Sequence, residues 1–83
     1  MTGVEVRYFA AARDAAGLSS ETVAAGDSLA VTLARLRPDR PAPLAQVLAT
    51  ATFLVDGERR GNDDPRPLAD GSTLDVLPPF AGG

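Results

Sequence analysis

Apolar and polar residues alternate near both ends of this chain and recur with helical spacing between them. Val4, Val6 and Tyr8 flank Glu5 and Arg7, the two-residue period of a half-buried strand. Residues 10–16 are rich in alanine, carry Arg13 and Asp14 and stop at Gly17, which predicts a short helical turn with a glycine cap. Glu21-Thr22-Val23 reads as a weaker second strand, closed by Gly26 and antiparallel to the first. Asp27 or Ser28 can cap the helix that follows, in which Leu29, Leu33 and Leu36 share one apolar face. Arg35 and Arg37 suit its last turn, and Pro38 stops it.

Pro41-Ala42-Pro43 is a stiff link into a short second helical stripe of Leu44, Val47 and Leu48, with Pro43 as an early helical residue. The pattern then returns to strands. Phe53-Leu54-Val55 is turned by Asp56-Gly57, a hairpin signal. Residues 61–67 form an irregular acidic loop, and Asp63-Asp64 beside Asn62 and Pro65 reads as a solvated turn rather than a catalytic pair. Neither Gly57 nor Gly61 opens a phosphate loop, since no Gly-Lys-Ser/Thr follows. Asp70-Gly71 marks a turn into a last strand, Thr73–Leu77, which Pro78-Pro79 ends. The order β-β-α, short helix, β-β predicts an α+β domain: a mixed sheet of about four to five strands with one main helix on one face.

The 83 residues, 45% of them hydrophobic and 23% charged, make one modest domain. No apolar run approaches the roughly 20 residues that span a bilayer, and residues 1–20 lack a signal-peptide pattern, so the protein is expected in the cytoplasm without membrane contact. A net charge of −3 argues against nucleic acid. All eight basic residues are scattered arginines, and the one adjacent pair, Arg59-Arg60, reads as a solvated turn. The chain has no cysteine, histidine or lysine. It therefore offers no thiolate, imidazole base or side-chain amine for catalysis, and no thiolate metal site. It is expected to present a group or a surface to other proteins rather than to catalyse alone.

The group is at the end. After Leu77 the chain reads Pro78-Pro79-Phe80-Ala81-Gly82-Gly83. A terminal carboxylate becomes reactive once ATP converts it to an acyl adenylate, and its chain must first thread into an activating enzyme. Glycines, lacking Cβ, allow close backbone approach, while the prolines hold the root of the tail extended. Residues 1–77 are thus read as the domain and residues 78–83 as an extended, flexible tail.

Residues 4–10 leading into Arg13, Val55-Asp56-Gly57-Glu58, Pro67-Leu68-Ala69-Asp70-Gly71 and above all residues 77–83 resemble the β-grasp sulfur carriers of the ubiquitin superfamily. This is the MoaD/ThiS family. The Pro-Pro-x-x-Gly-Gly ending is most similar to the molybdopterin synthase small subunits. The resemblance implies that an E1-like adenylyltransferase of the MoeB/ThiF type activates the Gly83 carboxylate with Mg-ATP. A sulfurtransferase then makes a thiocarboxylate, and the tail enters a MoaE-type large subunit to give sulfur to a pterin precursor. ATP and Mg would be used by the activating partner, and no cofactor by this chain. Asp56 stands where the family often has Asn, and the loop around Asp63-Asp64-Pro65-Arg66 is slightly long. Neither difference touches the reacting group, but the acceptor stays open: thiamine, cysteine, tRNA thiolation or a specialised metabolite are alternatives, as is a protein modifier conjugated through Gly83.

Strand alternation adds a surface. Leu74 and Val76 should face the helix, with Asp75 and Leu77 opposite, and Leu54 should likewise point away from it. Leu54 and Leu77 then form an apolar docking patch beside the tail. With Pro78, Pro79, Phe80 and Ala81 they are the candidate partner-binding residues, and Gly82 and Gly83 carry the chemistry. Phe80 can serve as a docking anchor or rest on the domain's own surface.

Overall fold

Two strands that alternate buried and open residues meet side by side at the centre of the molecule. A computed structural model of the chain describes residues 3–36, 42–61 and 63–78. Among these, strands β1 (Val4–Tyr8), β2 (Ser20–Val23), β3 (Thr52–Val55), β4 (Glu58–Arg60) and β5 (Thr73–Leu77) form a sheet of order β2-β1-β5-β3-β4. β1 and β5 are parallel, and every other pairing is antiparallel. The mixed β-grasp sheet follows from this: two hairpin-like edges joined through a parallel centre.

One core lies on one side of the sheet. Val4, Val6 and Tyr8 of β1, Phe53 and Val55 of β3, and Leu74 and Val76 of β5 are buried there. Leu29, Leu33 and Leu36 of helix α2 (Leu29–Leu36) close over them, as the i, i+4, i+7 spacing dictates. Ser28 caps α2 through its hydroxyl, which accepts from Val31 N–H at 3.4 Å, while Asp27 pairs with Arg35 instead. Leu68, from the segment before β5, is fully buried and tied down by Leu68 N–H to Asp27 C=O at 2.8 Å.

The main helix and the short second helical stripe are both present. The second of these, helix α3 (Ala42–Thr50), has nine residues against eight in α2, so it is longer than its three apolar residues suggest. The helix takes in Ala42 and Pro43, because proline is tolerated in a first turn where its missing N–H would have no partner. Leu48 is fully buried, and α3 packs on the short helix α1 (Ala11–Ala16), which Gly17 closes at φ 80°. Arg59-Arg60 is corrected: both lie in β4, not in a turn, and the Arg60 side chain is largely covered. Three charged residues in a row carry no strand signature, yet the Asp56-Gly57 turn, with φ 50° and 85°, sends them back along β3. The expected stop at Pro38 lies outside the described residues.

Candidate functional site

β5 is the central strand, and the tail follows directly from its end at Leu77. Whatever holds the tail therefore meets strands on both flanks. On the side away from the helices the registers bring Ser20, Arg7, Asp75, Leu54 and Arg59 into one row across all five strands. The next row toward the tail pairs Leu77 with Thr52. Leu54 faces Asp75 directly, so Leu54 and Leu77 are diagonal neighbours, within reach of one partner side chain. Both are half-buried, shielded by adjacent strands although no helix covers them.

Arg7 and Asp75 form a bidentate pair in the middle of this face: Nε donates to Oδ1 at 2.7 Å and Nη2 to Oδ2 at 3.0 Å. The hydrogen bond to Asp75, then its charge, raises the Arg7 pKa further above its ordinary value. The guanidinium carbon lies 5.7 Å from the centre of the Phe9 ring, a cation–π arrangement. Phe9 is 38% exposed, and its N–H donates to Val76 C=O at 3.2 Å, which fixes it beside the end of β5. Arg7, Phe9 and Asp75 were not among the sequence candidates. Arg7 and Asp75 occupy outward positions of their strands, but nothing in the local pattern shows that β1 and β5 are neighbours.

Pro78 is half-buried; Pro79, Phe80, Ala81, Gly82 and Gly83 lie outside the described residues. A surface concavity of about 720 Å³ between Gly3, residues 24–26 and residues 67–70 opens where β1 and β5 begin. It is at the opposite end from Leu77 and is not a site for the tail's chemistry.

The acidic loop is built as structure. Asp64 accepts from Arg66 Nε at 3.0 Å, Nη2 at 2.6 Å and backbone N–H at 3.0 Å, and these bonds hold its carboxyl far below the usual range. Among the described residues no cluster of three or more His, Cys, Asp or Glu is placed to hold a metal ion. No helix among them is long and apolar enough to cross a membrane.

Comparisons with known proteins agree with this geometry. The family model described as the ThiS family matches residues 6–83. A molybdopterin synthase sulfur carrier subunit from Chlamydomonas reinhardtii is 33% identical over 82 residues, spanning 96% of this chain and 98% of that protein. SAMP1 from Haloferax volcanii has a TM-score of 0.72 at 24% identity, covering 96% of this chain and 98% of that one. The complex of subunits 1 and 2 of molybdopterin-converting factor from Helicobacter pylori contains a similar chain, with a TM-score of 0.64 at 23% identity and coverage of 96% and 97%. At these identities the two structural likenesses are likenesses of fold, and that fold is the ubiquitin-like β-grasp.

Proposed function

Because this chain belongs to the ThiS family of sulfur carriers, we propose that it carries sulfur as a thiocarboxylate on Gly83 and delivers it in molybdopterin synthesis. The observation that carries the reading is the full-length match: the family model runs through Gly83, and the Chlamydomonas sulfur carrier subunit aligns over 96% of the chain. A carrier is not a catalyst by itself, and this chain has none of the cysteine, histidine or lysine side chains that commonly do covalent or proton-transfer work.

The cycle follows from the chemistry of a carboxylate. A Gly83 oxygen attacks the α-phosphorus of ATP, pyrophosphate leaves, and the mixed anhydride makes the acyl carbon electrophilic. A persulfide sulfur on a sulfurtransferase then displaces AMP, and a second thiol cleaves the resulting acyl disulfide, releasing the thiocarboxylate and leaving a disulfide on the enzyme. Adenylation uses the adenylyltransferase's own Mg-ATP, sulfur loading uses the sulfurtransferase, and the loaded tail then enters a large synthase subunit, all in the cytoplasm. The chain's part is to dock through the open face and extend residues 78–83. Leu54 and Leu77 supply apolar area, and the prolines at 78 and 79 leave the glycines little slack.

The destination is tested by mixing the thiocarboxylated chain with a molybdopterin synthase large subunit and the pterin precursor. The expected outcome is Gly83 returned to a carboxylate and sulfur on the pterin. Transfer only to a different small-molecule acceptor would reassign the pathway. Amide-linked conjugates to protein lysines would replace sulfur delivery with protein modification.

A further inference from the structure

An ion pair in the middle of a docking face has a consequence when a partner covers it. The pair's two members are unequally presented. The Asp75 side chain is 14% exposed, and both its oxygens already accept from Arg7. The Arg7 side chain is 47% exposed, and Nη1 makes no hydrogen bond among the described residues. What the face offers a partner at this point is therefore cationic, although the whole chain carries −3. Arg13, exposed on α1 and lining the same shallow hollow as Arg7 and Phe9, adds a second cation with no carboxylate partner among the described residues. Glu5 is the acid of that hollow, two residues along β1 toward the far end of the sheet. Toward the tail the pair's neighbours are apolar or hydroxylic, namely Leu54, Leu77, Thr52 and Phe9, and the next charge in its row, Arg59 beyond Leu54, is also a cation.

Resting on the sulfur-carrier reading, we infer that the Arg7–Asp75 pair is the selectivity element of the docking face, matched by a carboxylate on the adenylyltransferase that activates the tail. A partner that lays apolar surface over Leu54 and Leu77 also strips water from Arg7. Stripping water from a charge is costly unless an acceptor replaces it. A partner with a carboxylate there completes the guanidinium's hydrogen bonds; one with a cation or plain apolar surface leaves the donor unmet. Apolar area alone would admit any β-grasp receptor, whereas the placed charge rejects those that lack the acid.

The test inverts the pair. Arg7→Asp combined with Asp75→Arg keeps an ion pair within the free domain but reverses the charge presented. Binding and sulfur loading are measured with an adenylyltransferase that loads the wild-type chain, alongside urea melts. The inverted chain is expected to melt near the wild type and to bind at least about tenfold more weakly, with the loss in KM rather than kcat. Loading at the wild-type rate would overturn the inference. If the inverted chain does not fold, Arg7→Leu with Asp75→Leu decides: binding should weaken and become less dependent on salt, and an unchanged salt dependence would overturn the inference. A wild-type chain that no adenylyltransferase binds or loads would remove the carrier reading, and this inference with it.

Discussion

Asp56 shows how one side chain ties a turn to the strand that carries the tail. Its carboxylate accepts Thr73 N–H at 3.0 Å while its own N–H donates to Thr73 C=O at 2.9 Å. The Thr73 N–H, and after it the Ser72 hydroxyl, lower the Asp56 pKa below its ordinary value. Since the folded value lies below the unfolded one, this contribution is present above the unfolded pKa and is lost as pH falls through the folded pKa. Asp56→Asn keeps a residue suited to φ 50° but removes the ionisation. Its melting temperature should therefore fall less steeply than the wild type's as pH is lowered from 5 toward 2; parallel curves would show that Asp56 does not govern acid sensitivity. Leu77 makes the matching prediction for function. Burying a leucine at an interface is worth about 1.5–3 kcal/mol, so Leu77→Arg should weaken binding to the adenylyltransferase by about tenfold or more. The free domain should lose at most about 1 kcal/mol, because Leu77 is only half-buried. Normal binding by Leu77→Arg would remove the residue from the docking face. The outward aim of Leu54 and Leu77 was legible because a strand's period is two; the ion pair between them and Phe9 was not, because it depends on which strands are neighbours.

At the scale of elements, local signals were read well where periodicity was clean and poorly where tertiary context decided. The strand of Val4, Val6 and Tyr8, the leucine stripe of α2 and the Asp56-Gly57 turn all have the structure their spacing implies. β4 is Glu-Arg-Arg and takes its conformation from the turn before it and the partner beside it. The parallel contact of β1 with β5 joins residues 68 apart, for example Arg7 with Asp75, so no local window contains it. The junction between β1 and α1 holds a further feature that composition hides. Ala10 has φ 49° and ψ −123°, a conformation that glycine adopts freely and an L side chain resists. Ala10→Gly should raise stability by about 1 kcal/mol in urea denaturation, relief of strain exceeding the added entropy of the unfolded chain. A loss of stability would mean that the Ala10 methyl packs more favourably than its backbone is strained.

On the scale of the whole molecule, the middle strand of the sheet ends at Leu77, immediately before the run Pro78-Pro79. β5 is braced by β1 and β3, so the root of the tail is rigid where it leaves the domain. Gly82 and Gly83 have no side chains to bury, so removing them should leave the melting temperature almost unchanged while abolishing sulfur loading. A large drop in stability would show that the tail is part of the packed structure. The family was legible from the element order together with residues 77–83, because a sequence motif needs no knowledge of tertiary neighbours, whereas the layout of the open face depends on strand pairing that no motif records. The most direct test is the intact mass of the chain after incubation with ATP, an E1-like adenylyltransferase and a sulfur donor, followed by fragmentation. The expected result is a gain equal to the difference between sulfur and oxygen, confined to Gly83. Sulfur mapped to any other residue, or an unchanged mass with every adenylyltransferase that binds the chain, would contradict it.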